Sequence, residues 1–285
     1  MTDSYFEGKV AVVTGAGGRL SGPIAVHLAS KGAKVVLIGR TAAKLQKTAD
    51  EIEKNGDTCY IVTADVNDEA SMCAAAKEIE EKYGPCRFLV NGAGGNNANA
   101  TTTDGHYSEK DLSGDKPENF RGFWDIDIEV AKQVLLTNTF GSIIPMRAFC
   151  PQMIKAGGGS VINFASMNTY CPLTNNMAYA MAKAAISNFT KWAAGYFSNP
   201  DANIRINAIA PGFFVNERSV KILGSQETGW LPRGQKVIDH TPQRRMGVPA
   251  DLIGTADYLL DDRLSAFVTG ITIPVDGGFL TLSGV

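Results

Sequence analysis

Short apolar, β-branched runs alternating with amphipathic stretches of helix length constrain this chain more than any other feature. Val10 to Val13 precedes a helical stretch from about Gly22 to Ser30, Val35 to Ile38 precedes a charged one through Lys44, Lys47, Glu51 and Lys54, and Tyr60 to Val62 precedes one from Ala70 to Tyr83. Phe88 to Val90 supplies a fourth strand. Helices are expected near Ile126 to Asn138 and Ile143 to Ile154, then a strand at Val161 to Phe164, a helix at Ala178 to Phe197, and strands at Ile204 to Ile209 and Ile271 to Val275. Continuously apolar strands are buried on both faces, and right-handed crossovers lay a helix over each face in turn. The expected fold is α/β, a doubly wound, seven-stranded parallel sheet in a single domain over 1–285.

Two stretches lack a regular period, 95–122 and 212–249. Connections that long in a compact domain are usually functional, so they are expected to act as substrate loops, the second as a lid. The formal charge of −2 and a pI near 6.0 remove the cationic excess that phosphate backbones require, so no nucleic acid partner is expected. No polybasic run suggests a membrane surface, no apolar run approaches the ~18 residues of a membrane span, and Met1 to Phe6 does not resemble a signal peptide. Five cysteines without CxxC spacing read as reduced thiols of a cytoplasmic protein. Three histidines with no paired spacing give no ligand set, so no metal is expected.

After the first strand comes Thr14-Gly15-Ala16-Gly17-Gly18-Arg19-Leu20-Ser21-Gly22, where glycines let backbone approach a pyrophosphate seated on a helix N-terminus. The segment resembles the TGxxxGxG fingerprint of the short-chain dehydrogenases/reductases, with Thr14, Gly15 and Ala25 in register and Arg19 and Ser21 where that family has its second and third glycines. Asp65-Val66 resembles the family's acidic pair over the adenine, and Asn91-Gly92-Ala93-Gly94 is similar to its NNAG strand end. Pro211-Gly212 and Asp276-Gly277-Gly278 are similar to its later signatures.

This resemblance covers essentially the whole chain and implies a Rossmann-like fold. It implies a nicotinamide dinucleotide held by Gly15, Gly17, Gly18, Arg19 and Leu20, by Arg40, by Asp65 and Val66, by Asn91, Ala93 and Gly94, by Tyr179 and Lys183, and by Pro211 and Gly212. At the end of the second strand NAD enzymes usually present a carboxylate to the ribose hydroxyl, whereas a 2′-phosphate calls for a cation. Here stands Gly39-Arg40, and Arg40, with Arg19, is suited to fork onto that phosphate. NADP is therefore the expected cofactor, with NAD as the alternative.

Tyr179 and Lys183 lie four apart, on one helical face. Tyr5 and Lys9 share that spacing, so context must separate the two pairs. Ser166 ends the fifth strand thirteen residues before Tyr179, and Asn138 stands in an NxxG segment. The four match the catalytic tetrad of the short-chain family. Carbonyl reduction needs an acid beside the carbonyl oxygen, a role for Tyr179, with Ser166 donating to the developing oxyanion. Loosening a phenol from ~10 toward neutrality takes about 3 to 4 kcal/mol. An ammonium ~4 Å away supplies about 1 kcal/mol in water but about 4 at an effective dielectric near 20, so Lys183 is expected to act in a shielded site. The resemblance implies that Asn138 holds a water in a proton relay to Lys183.

Candidate substrate contacts are Asn96, Asn97, Asn99, Thr101 and Thr102, with Asn168 beyond Ser166, and His240, Arg244 and Arg245 in the lid. These suit a polyol and an anion, although Asn and Thr runs also serve turns and an arginine of the pair also suits a solvated surface. Within the family, Gly94-Gly95-Asn96, Ser166-Met167-Asn168, Pro211-Gly212-Phe213-Phe214, His240-Thr241-Pro242 and Ser283-Gly284-Val285 are similar to the D-mannonate oxidoreductases, or fructuronate reductases. That implies a keto-sugar acid substrate, D-fructuronate reduced to D-mannonate. Reduction of another keto-sugar or keto-gluconate is the alternative, and a non-catalytic nucleotide sensor is the alternative of another class. The resemblance also implies a homotetramer packed through Ile126 to Ile154 and the seventh-strand edge.

Overall fold

Seven parallel strands form the sheet: β1 (Val10–Thr14), β2 (Lys34–Gly39), β3 (Cys59–Thr63), β4 (Cys86–Asn91), β5 (Gly159–Phe164), β6 (Ile204–Pro211) and β7 (Thr272–Val275). Their spatial order is β3-β2-β1-β4-β5-β6-β7, so the winding reverses between β1 and β4 and opens a crevice at their C-terminal ends. The computed structural model describes residues 5–215 and 217–282. The C-terminal Ser283-Gly284-Val285 similarity lies outside the described residues, as do the first four residues of the N-terminal stretch.

The period-2 geometry of a strand divides the core in two. Ala11 and Val13 face one layer with helices α1 (Ser21–Ser30) and α2 (Ala42–Lys54), whereas Val10 and Val12 face the other with α3 (Glu69–Tyr83), α4 (Ile128–Lys155) and α5 (Met177–Phe197). Strand and helix positions follow the sequence reading closely, with one merger. The two helices expected on either side of Gly141 are one helix of 28 residues that passes through Pro145 and Pro151. Gly141 is not a break. A Cβ there would come 3.1 Å from the Val66 side chain, so the glycine lets α4 cross close over β3's exit. Phe149, Cys150 and Met153 bury against the sheet, and this packing offsets the backbone hydrogen bonds that the prolines lack.

The stretch 212–249 is more ordered than its sequence suggests. It holds α6 (Glu217–Leu223), a two-residue hairpin (Gly224–Ser225 with Gly229–Trp230) and α7 (Pro232–His240). Leu223, Val237, Ile238 and Met246 give it a small core of its own, against which Phe213 and Phe279 pack. α8 (Ile253–Leu260) then returns to the α1 face, and α9 (Asp262–Ser265) follows. The stretch 95–122 is irregular apart from short 3-10 turns at Ala98–Ala100 and Glu109–Leu112.

At the opposite end of the sheet from the crevice, Asp262 gathers three partners. Arg205 donates through Nε and Nη2 to Oδ1 at 3.0 and 2.7 Å, the Tyr5 hydroxyl donates to Oδ2 at 2.5 Å, and Arg87 donates to the same oxygen. Burial alone would raise the carboxyl, but the hydrogen bonds from Tyr5 and Arg205 and the charge of Arg87 outweigh it and hold Asp262 below the ordinary carboxylate value. The folded value is the depressed one, so this contribution is complete above ~3.9 and is lost as pH falls below it. Asp262→Asn should cost on the order of 2 kcal/mol near neutrality. Urea unfolding of both proteins at neutral and acid pH checks it, and a gap that fails to shrink in acid would contradict the assignment.

Candidate active site

Three loop ends meet in the crevice. Gly15, at φ +61, turns the chain after β1, and a Cβ there would fall 2.7 Å from the Ala93 backbone after β4. Gly18 donates to the Gly15 carbonyl at 2.8 Å, and Gly17 lies against Lys44 at the start of α2. Arg19 is exposed, and Leu20 leads into α1. Ser21, where the family fingerprint has glycine, turns its hydroxyl back to the Gly15 carbonyl at 2.6 Å. It fits because Gly92 has no side chain: a Cβ on Gly92 would come within 2.5 Å of the Ser21 Cβ. The departures at 21 and 92 are thus two halves of one packing solution.

No side chain caps α1, and its first turn holds no acidic residue, so its N–H groups suit an anion. Arg40, after β2, sits exposed with Nη1 3.8 Å from the Asp65 carboxylate, and Val66 is buried beside it. Asn91 is buried and donates to Asn163 at 2.9 Å, which ties β4 to β5 and leaves its own Oδ1 unpartnered. Gly212 continues β6, its N–H bonded to Val275. The glycine-lined backbone, the uncapped helix start and the cation at the rim fit a dinucleotide.

α5 carries Tyr179 and Lys183 a turn apart, and Ser166 follows β5. Burial pushes the Tyr179 phenol above its ordinary value, and the Ser166 hydrogen bond pulls it part of the way back. Lys183 is 4% exposed, its Nζ 5.5 Å from the Tyr179 ring centroid and donating to the Phe164 carbonyl at 2.6 Å. Burial lowers it to about 8. The loosening expected of Lys183 is therefore not a property of the protein alone. Its charge is engaged by Phe164, and the phenol stays protonated at neutral pH.

The Asn138 side chain is engaged by backbone on two sides. Its Nδ2 donates to the Gly95 and Val134 carbonyls at 2.7 and 2.8 Å, and its Oδ1 accepts from the Gly95 N–H at 3.1 Å. It grips the exit of β4. A Cβ on Gly94 would lie 2.5 Å from Asn138 Oδ1 and 3.7 Å from Lys183 Nζ, so this bare backbone separates the two side chains. Asn138, Ser166, Tyr179 and Lys183 are thus brought together.

The expected substrate contacts divide. Asn168 is buried and donates to Ser166 Oγ through its N–H and Nδ2 at 3.2 and 3.3 Å, which orients that hydroxyl. Asn96 donates to Asn176 at 2.7 Å, and Asn97 accepts from the Asn99 N–H. His240 packs its ring on Phe279, 4.5 Å between centroids. The two arginines are engaged locally: Arg244 bonds the Asp239 carbonyl at 2.7 Å, and Arg245 forks onto Asp251 at 2.6 and 2.9 Å. Arg245, Phe213, Phe214 and Asp276 line a cleft of about 360 Å³ at the ends of β6 and β7. Asn175 and Asn176 escaped the sequence reading; their one signal was their place just before a helix start.

Residues 9–224 match the short chain dehydrogenase family. The chain belongs to that family. An uncharacterized oxidoreductase of Bacillus subtilis, UxuB, is 41% identical over 98% of this chain and 97% of its own. An oxidoreductase of Haemophilus influenzae is 39% identical over 98% and 95%. A crystal structure from Haemophilus, provisionally called a D-mannonate oxidoreductase and holding NAD, superposes with a TM-score of 0.90 at 39% identity, over 98% of this chain and 97% of that one. The short-chain dehydrogenase described here is thus an oxidoreductase acting on CH–OH groups. Among the described residues no helix is long and apolar enough to cross a membrane.

Lys183 gives this dehydrogenase a measurable signature. Its folded value of about 8 lies below the ~10.4 of the unfolded chain, so between those values the unfolded state holds the extra proton and stability rises with pH. Lys183→Met should remove that rise, on the order of 2 to 3 kcal/mol. Urea unfolding of both proteins at about pH 8 and about pH 10 checks this; parallel curves would refute it.

Proposed function

We propose that this dehydrogenase reversibly reduces the keto group of a sugar acid, D-fructuronate to D-mannonate, with NADPH as the preferred reductant and NADH as the alternative. The observation that carries the reading is the placing of Ser166, oriented by Asn168, at the end of β5 beside Tyr179 and the buried Lys183 on α5, in a dinucleotide crevice bordered by the amide- and hydroxyl-rich stretch 96–102. The Haemophilus structure supports the substrate class. A galactitol 2-dehydrogenase of Cereibacter sphaeroides, 30% identical over 96% of this chain and 95% of its own, supports polyol chemistry at such a site.

Reduced nicotinamide, when bound, would supply the hydride. Tyr179 gives its phenolic proton to the carbonyl oxygen, so ketone becomes alcohol and the phenol becomes phenolate. The Ser166 hydroxyl donates to that oxygen as charge grows on it, and Asn168 keeps the hydroxyl aimed. Lys183, charged below about pH 8, offsets the phenolate left behind. Asn138 fixes the exit of β4 at the edge of the crevice. Stretches 95–122 and 212–249 frame the substrate, and Asn96, Asn97 and His240 are the side chains in them best suited to its hydroxyls.

For the coenzyme, residue 40 is arginine where a ribose-binding carboxylate would stand, and its guanidinium is exposed and only loosely paired with Asp65. NAD in the Haemophilus structure supports the alternative. The chain is also proposed to be a homotetramer. Leu136 and Phe140 on α4 and Trp192 and Tyr196 on α5 are exposed, the last two at 60% and 62%, and Phe267 and Ile271 stand bare before β7. All five cysteines are free thiols, which suits the cytoplasm.

Nucleotide absorbance during turnover of D-fructuronate and D-mannonate with both coenzymes tests the reading directly, and no oxidation or reduction of either would overturn it. Tyr179→Phe should abolish turnover, by at least about a hundredfold, with nucleotide binding retained. Arg40→Asp should swing the NADPH/NADH ratio of kcat/KM toward NADH by on the order of tenfold or more; a wild-type preference for NADH would refute the NADP reading. Sizing at micromolar concentration checks the tetramer.

A further inference from the structure

The irregular stretch after β4 is held at two places, and the second lies just before the catalytic helix. Arg121 braces the loop internally: its N–H and carbonyl pair with Thr103, and its guanidinium donates to the Ala98 carbonyl at 2.7 Å. The braced base is then fastened to the residues preceding α5. Asn175 donates both amide hydrogens, to the Thr102 and Thr103 carbonyls at 2.9 and 2.8 Å, and its own carbonyl accepts from the Thr102 N–H at 3.2 Å. Asn176, the N-cap residue of α5, accepts from Asn96 at 2.7 Å. Asn175 sits at φ +75, a left-handed backbone that asparagine tolerates better than other residues with side chains. The turn thus spends backbone strain to aim an amide at the loop.

Fastened in this way, the loop delivers more than polar contacts. Ala100 and Ile126, both buried, form one apolar cluster with Val134 and the Tyr179 ring. Tyr179 stands three residues beyond Asn176, so the acid's wall and its helix start are joined to the same loop.

We propose that Asn175 and Asn176 are positioning residues, a clasp that fixes the 96–103 segment over the start of α5 and so sets affinity for the sugar-acid substrate. The proposal rests on reading 95–122 as the substrate loop. The clasp acts on substrate binding more than on the chemical step, because Ser166 and Asn168 are held from β5 and Lys183 is fixed to the Phe164 carbonyl, so among the reacting groups the loop touches only the wall beside the Tyr179 ring. The part of the dinucleotide site formed by Gly15 to Leu20 and Arg40 lies at the ends of β1 and β2, away from it.

Three variants test this. Asn175→Gly keeps the left-handed turn and removes the two amide bonds, Asn176→Leu removes the acceptor for Asn96, and Asn176→Asp keeps it. The first two should raise KM for D-fructuronate about tenfold with kcat within about threefold and the NADPH Kd unchanged. Asn176→Asp should stay near wild type. Hydrogen exchange of the whole protein should show the Thr102 and Thr103 amides opening faster in Asn175→Gly and Asn176→Leu, with the amides of β4 and β5 unchanged. Unchanged KM, a fall in kcat equal to the rise in KM, or exchange that quickens uniformly through the sheet would overturn the clasp. If the wild type turns over no sugar acid, the substrate reading fails on its own, and the exchange data still decide the clasp.

Discussion

The close passage of the chain after β1 beside the chain after β4 is the constraint on which the site depends. The winding of the sheet reverses between these two strands, so their exits part to opposite faces, and a dinucleotide fits only if both exits present bare backbone. Gly15 has no room for a Cβ against Ala93, nor Gly92 against Ser21, nor Gly94 against Asn138. The glycines sit where three pieces of chain must touch, and each absent side chain is answered by a specific neighbour. A Ser where the family has glycine therefore costs little here, since its methylene occupies the space vacated at Gly92.

Around that crevice the protein ties its buried polar side chains to one another and to backbone. Asn138 uses two donors and an acceptor on backbone, Asn168 aims Ser166, and Lys183 bonds a strand-end carbonyl. Burial has opposite consequences for the two groups on α5. It disfavours the anionic phenolate of Tyr179 and the cationic ammonium of Lys183, so the phenol rises and the amine falls. The proton thus resides on the tyrosine, as an acid for carbonyl reduction requires.

Electrostatics at the far end of the sheet perform a separate task. Arg87 begins near the start of β4 and Arg205 near the start of β6, and Asp262 joins them with Tyr5 from the N-terminal segment. This network ties the N-terminal segment and the start of α9 to the strand starts, while the strand ends remain open for chemistry. Stability and function are therefore placed at opposite edges of one sheet.

Resemblance to the short-chain family, not spacing, grouped Asn138 and Ser166 with Tyr179 and Lys183; the sequence by itself determined the seven strands, the burial of the central ones and the shared helical face of that pair. Those features follow from local periodicity and from spacing within single elements, such as Tyr179 and Lys183 one turn apart on α5. Position 141 could not be resolved locally, because a glycine that ends a helix and one that lets a helix pass near Val66 look alike without the neighbour. The order within 212–249 was hidden for a similar reason: its small core draws on Phe279, distant in sequence. Only the tertiary structure decided that Arg244 and Arg245 are engaged by nearby aspartates, that Asn138 grips Gly95, and that Asn175 and Asn176 fasten the loop. Hydrogen-bond partners are chosen by distance in space, which no spacing along the chain records.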